Sequence, residues 1–105
     1  MFEEFIQGQA ITDEGVFRSL IQAADRATVK FIKKDGTVRI MNFTLNFGRI
    51  PKANHPKGTG KKSGGIAVYD IDKAGWRTIP FGSVQWLQIS RGPNVPPVKH
   101  MVNRV

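Results

Sequence analysis

The chain has no cysteine. It therefore holds no disulfide, thiolate nucleophile, iron–sulfur cluster or cysteine-based zinc site, and this absence fits a reducing cytoplasm. Histidine is almost as scarce. His55 lies in a basic Gly- and Pro-rich stretch and His100 in the tail, two contexts poorly suited to holding a catalytic geometry. Acids are few, 8 Asp+Glu against 16 Lys+Arg. No apolar run approaches the ~18 residues of a membrane helix. The start, Met1-Phe2-Glu3-Glu4-Phe5, is acidic and lacks the basic and apolar regions of a signal peptide. At 105 residues the chain is expected to form one domain with a modest core, too small for a two-domain enzyme.

What is present is positive charge, unevenly placed. Residues 1–25 carry five acids (Glu3, Glu4, Asp13, Glu14, Asp25) and one base, Arg18, for a net −4. Residues 26–105 carry 15 bases and three acids (Asp35, Asp70, Asp72), for a net +12. A basic body with an acidic N-terminal element suits a polyanionic partner. The plainer use of such charge is solubility.

Residues 12–25 have a helical period. Thr12 is the expected N-cap, Asp13 and Glu14 favour the first turn, and Val16, Phe17, Leu20, Ile21 and Ala24 share one face. From Ala27 the period becomes two. Asp35-Gly36 predicts a two-residue hairpin turn, with a return strand over Thr37 to Leu45. Pairing Lys34 with Thr37 sets Phe31 opposite Ile40, so that Val29, Phe31, Val38 and Ile40 share one face. Lys30, Ile32, Arg39, Met41 and Phe43 then share the other.

Residues 46–65 break the pattern, with two prolines, five glycines, five bases and no acid. They read as a long basic loop, either a solvated insertion or an arm that orders on an anionic partner. Three short strands are expected afterwards, at Ile66 to Ile71, Trp76 to Phe81 and Val84 to Ile89. The turn Asp72-Lys73-Ala74-Gly75 should take its positive φ from Gly75. Gly92, Asn94, Pro96 and Pro97 end regular structure, which leaves a partly mobile tail. The organisation is thus an acidic helical segment at 1–26, a β-barrel at 27–90 containing the loop 46–65, and a tail at 91–105. The fold class is mainly β, a small five-stranded barrel with one N-terminal α-helix, closed so that no sheet edge is left open.

Two stretches carry a family resemblance: Val29-Lys30-Phe31-Ile32-Lys33-Lys34-Asp35-Gly36-Thr37-Val38-Arg39, and the run from Val68 to Val84 with its Asp70-x-Asp72, Gly75 and Trp76-Arg77. Residues 27–89 resemble the WYL-like proteins with an Sm-like SH3 β-barrel, in particular small stand-alone proteins of tailed bacteriophages. The resemblance implies the barrel, and in the wider superfamily the barrel is thought to sense nucleic acids or nucleotides. The Trp-Tyr-Leu triplet that names that superfamily is absent here. So is the preceding helix-turn-helix, which one helix cannot make.

Enzymatic chemistry finds little footing. Asp70 and Asp72 alternate on one strand, but no second cluster of ligands completes a metal shell. Gly58-Thr59-Gly60-Lys61-Lys62 lacks the glycine spacing of a phosphate loop. No enzyme, cofactor or metal is expected. Nucleic-acid binding needs cations to track phosphates and flat groups to stack. The cations are Lys30, Lys33, Lys34 and Arg39 around the first hairpin, Arg49, Lys52, Lys57, Lys61 and Lys62 in the long loop, Lys73 and Arg77 at the second hairpin, and Arg91 after the last strand. Trp76 and Trp86 are the candidate stackers, with core packing as their structural alternative. Arg77 has an alternative too, an ion pair with Asp70 or Asp72. The expected partner is DNA or RNA, bound with low sequence specificity in the host cytoplasm, and the chain would be a bacteriophage accessory protein. The other expectation is an acidic host or phage protein. The helix is expected to cover one barrel opening, or to serve a homo-oligomer.

Overall fold

A computed structural model describes residues 6–54 and 65–103. They form one helix, α1 (Glu14–Ala23), and seven strands: β1 (Ile6–Gln7), β2 (Arg26–Ile32), β3 (Val38–Thr44), β4 (Ile66–Asp70), β5 (Gly75–Ile79), β6 (Val84–Ser90) and β7 (Val98–Met101). They make a single sheet in the order β1-β7-β6-β2-β3-β4-β5. The five expected strands are its five consecutive members from β6 to β5. Two expectations are corrected. The strands number seven rather than five among the described residues, and the sheet is not closed. The physical reason is that β7 takes the edge of β6 that a closing strand would need, and β1 adds beyond it. Among the described residues the two edge strands are short: β1 has two residues, and β5 runs into Pro80, which cannot donate to a ladder.

The tail is likewise corrected, since regular structure resumes after Pro97. Backbone bonds from Ile6 N–H to Pro97 O, Gly8 N–H to Lys99 O and Ile11 N–H to Met101 O, each 2.8 Å, tie the two ends of the chain together. His100 is buried, and its Nδ1 lies 2.8 Å from the Gln9 carbonyl oxygen. Gly8 permits this approach: a Cβ there would stand 2.4 Å from His100 Cε1.

The first hairpin corrects the predicted register. Gly36 N–H bonds to Lys33 O at 2.9 Å and Lys33 N–H to Thr37 O at 2.8 Å, so the loop is Lys34-Asp35-Gly36. Gly36 has φ 90°. A three-residue loop with a left-handed third residue replaces the two-residue turn, and the Asp35 carboxylate stabilises it by accepting from Thr37 N–H (3.0 Å) and Oγ1–H (2.6 Å). Partners become Phe31 with Arg39 and Val29 with Met41. A slip of one residue turns every β3 side chain over. Met41 and Phe43 are buried, whereas Val38 and Ile40 are 55% and 57% exposed.

The helix starts later than predicted. Asp13 rather than Thr12 is the N-cap, its carboxylate accepting from Gly15 N–H at 3.1 Å. Phe17 and Ile21 enter the core, and the Phe17 ring meets Phe81 edge-to-face at 5.4 Å. Val16, expected on the buried face, is exposed. Burying Phe17 and Ile21 stabilises the fold by about 1.5–3 kcal/mol each. Their partners include Ile11, Val29, Met41, Phe43, Leu87 and Val102, one continuous core. The loop after β3 is not structureless at its start: short 3-10 turns occupy Phe47–Arg49 and Lys52–Asn54, and Ile50 is buried.

The second hairpin also differs in detail. Positive φ falls on Ala74 (54°), not on Gly75. The Asp70 carboxylate accepts from Lys73 N–H at 3.1 Å and so helps shape the turn.

Candidate nucleic-acid interface

Inward-facing positions at one end of the curved sheet bring together bases that are far apart in sequence. Arg39 pairs with Phe31 across β2 and β3, and Arg77 pairs with Val68 across β4 and β5. Both therefore lie on the core side, at its open mouth. Together with Lys33 and Lys34 from the hairpin loop they line a groove of about 630 Å³ that also includes Phe31, Thr78 and Pro80. Among the described residues, no lining residue is acidic. Behind them the fully buried Asp70 carboxylate accepts from Arg39 Nη2, and Arg39 remains 24% exposed. Arg77 Nη1 donates to the Trp76 carbonyl at 2.9 Å, and among the described residues Arg77 pairs with no carboxylate. The alternative ion pair with Asp70 is made by Arg39 instead.

The remaining expected bases are dispersed. Arg49 forms a two-pronged pair with Asp25, at 2.7 and 2.6 Å. The Arg49 hydrogen bonds, with help from Asn46 and Arg26, hold the Asp25 carboxyl below its ordinary value, and Asp25 in turn raises Arg49. Arg91 lines a second groove beside that pair. Lys52 and Lys73 are exposed, on a 3-10 turn and in the second hairpin loop. Lys57, Lys61 and Lys62 lie outside the described residues.

The two tryptophans have different settings. Trp76 is half-buried and meets the buried Tyr69 ring edge-to-face at 5.8 Å. Trp86 points away from the core, because its neighbour Leu87 faces inward and is buried. A register shift between β2 and β6 puts Val84 beside Phe31 inside and Trp86 beside Lys30 outside. Lys99 Nζ stands 4.4 Å from the Trp86 ring centroid, a cation–π interaction. Sequence reasoning did not select Lys99. Its closeness to Trp86 depends on the pairing of β6 with β7, which no local pattern announces.

One comparison with known proteins bears on this architecture. A family model described as WYL_2, Sm-like SH3 β-barrel fold, matches residues 18–81, more than half of the chain. The chain belongs to the WYL_2 family. The WYL_2 match runs from within α1 through β5 and so contains every lining residue of the groove. Strands β1, β6 and β7 lie beyond it. No curated protein and no solved structure matches the chain. No helix among the described residues is long and apolar enough to cross a membrane.

Proposed function

We propose that this WYL_2 chain is a non-enzymatic nucleic-acid-binding module that holds its partner mainly through its phosphates with little sequence specificity, as a bacteriophage accessory protein. The observation that carries this reading is the convergence of Lys33, Lys34, Arg39 and Arg77 from the hairpin loop, β3 and β5 on one groove that has no acid among its described lining residues. Its chemistry suits phosphate. Arg39 is oriented by the buried Asp70, and its side chain remains partly exposed; an oriented fork of donors matches phosphate oxygens. The lysines add mobile point charges at the rim. The net +12 of residues 26–105 supplies long-range attraction.

Titration of labelled oligonucleotides with the chain and its Lys33→Ala, Lys34→Ala and Arg77→Ala variants tests this. Each variant that releases one phosphate should lower the slope of log affinity against log salt by about 0.7–0.9. Unchanged slopes in all three variants would remove the groove from the account. Changing Lys57, Lys61 and Lys62 together to Glu tests the loop separately, and undiminished binding would exclude it.

A second reading, docking on an acidic host or phage protein, is favoured by β5. Among the described residues this strand pairs only with β4, so its outer edge is open to an added strand, with Arg77 beside it. Co-purification with a protein after nuclease treatment would support it.

A further inference from the structure

The face of the sheet that turns away from the core carries a cross-strand row, Ile40–Lys30–Trp86–Met101, on β3, β2, β6 and β7. Neighbouring strands are about 4.8 Å apart, so the row spans roughly 14 Å. Lys99 sits in the adjacent row and reaches over the Trp86 ring. Ile40 is more than half exposed, as is Val38 at the end of the same face. Neither side chain contributes to the core cluster. The row contains no acid, and Asp72, which flanks the next row, is held by Asn42 Nδ2 at 3.0 Å.

We infer that this outer face binds single-stranded nucleic acid, with Trp86 as the platform on which an unpaired base stacks and with Lys30 and Lys99 on the adjoining phosphates. The inference rests on the phosphate-binding reading above and deepens it by naming the strand type. A flat indole under the Lys99 ammonium and paired across the strands with Lys30 offers a duplex only the charges, because duplex bases are stacked on one another. An unpaired base has a free π-face and a phosphate beside it, and it satisfies both halves of the site. The base replaces the Lys99 ammonium over the ring, and the freed ammonium meets a phosphate oxygen. Ile40 and Met101 extend the apolar floor on either side. Charge separates this occupant from a protein surface of ordinary composition, since among the described residues the ionic groups in the row and over its indole, Lys30 and Lys99, are cations.

The test is fluorescence anisotropy with labelled oligo(dT) and a duplex of equal length, at about 50 and 200 mM salt. The intact chain should bind the single strand more tightly than the duplex. Trp86→Ala should weaken single-strand binding about five- to a hundredfold, leave duplex binding and the salt slope unchanged, and be largely rescued by Trp86→Tyr. Lys30→Ala and Lys99→Ala should each lower the single-strand slope by about 0.7. Thermal melting of every variant separates unfolding from the absence of stacking. Single-strand affinity unaltered in a folded Trp86→Ala variant, with loss in Lys33→Ala, would overturn the stacking site and leave the groove standing. Absence of binding to either strand by the intact chain would overturn both.

Discussion

Arg39 on β3 and Asp70 on β4 form an ion pair in which the carboxylate is fully buried and the arginine side chain stays partly exposed. The pair joins β3 to β4, and it fixes the groove arginine that has a buried acid behind it. Removing Arg39 leaves the Asp70 carboxylate buried with Lys73 N–H as its one partner among the described residues. Arg39→Ala is therefore expected to cost roughly 3 kcal/mol, as for other broken buried pairs. Asp70→Ala should cost less, because the freed guanidinium can hydrate. A double-mutant cycle in urea should return clear coupling between the two positions, and additive losses would contradict the pairing.

The two hairpins make opposite predictions about glycine. Gly36 has φ 90°, and a Cβ added there would meet no atom within 4 Å, so Gly36→Ala tests backbone conformation alone. It should lose about 1 kcal/mol. Ala74 has φ 54°, and Ala74→Gly should gain about 0.5–1 kcal/mol. Equilibrium denaturation of both variants checks the signs.

Gly8 tests the join between the two ends of the chain. Any side chain there would collide with the His100 ring and with Val98 Cγ1. Gly8→Ala should destabilise by about 1–3 kcal/mol through forced displacement. Hydrogen exchange should show the amides of Gly8, Ile11 and Asn103, which bond across that join, opening first.

Acid should weaken the link between β2 and the loop after β3. Asp25 has its folded pKa depressed by Arg49, so its contribution is fully present above the ordinary carboxylate value of 3.8 and is lost as pH falls through the depressed value. Asp35, lowered chiefly by the Thr37 hydroxyl, follows the same sign. Asp25→Asn should flatten part of the stability profile below pH ~4 when unfolding is measured across that range.

Much of the sheet is legible in sequence because it is written locally. Alternation marks β2, and Asp35-Gly36 and Asp72 to Gly75 mark the reversals. Residue types alone do not settle the register. Both faces of Val38 to Phe43 are partly apolar, so burying Met41 and Phe43 or burying Val38 and Ile40 each fits the pattern. The Asp35–Thr37 hydrogen bonds and the extra loop residue decide between them. Strands β1 and β7 are not legible, since two and four residues give no period and their pairing spans almost the whole chain. The groove inherits the same limit. Lys33 and Lys34 stand out beside the turn, but their meeting with Arg77 requires the curvature of the sheet. Trp86 can be selected by type, whereas Lys99 needs the β6–β7 register.

The central claim is that the basic groove and the outer face serve a nucleic acid. The most direct measurement is binding of nuclease-treated protein to labelled single-stranded RNA, single-stranded DNA and duplex DNA at about 50 and 200 mM salt. The account predicts micromolar or tighter binding at the lower salt, falling steeply at the higher, with single strands held more tightly than duplex. No binding to any of the three at the lower salt would contradict it.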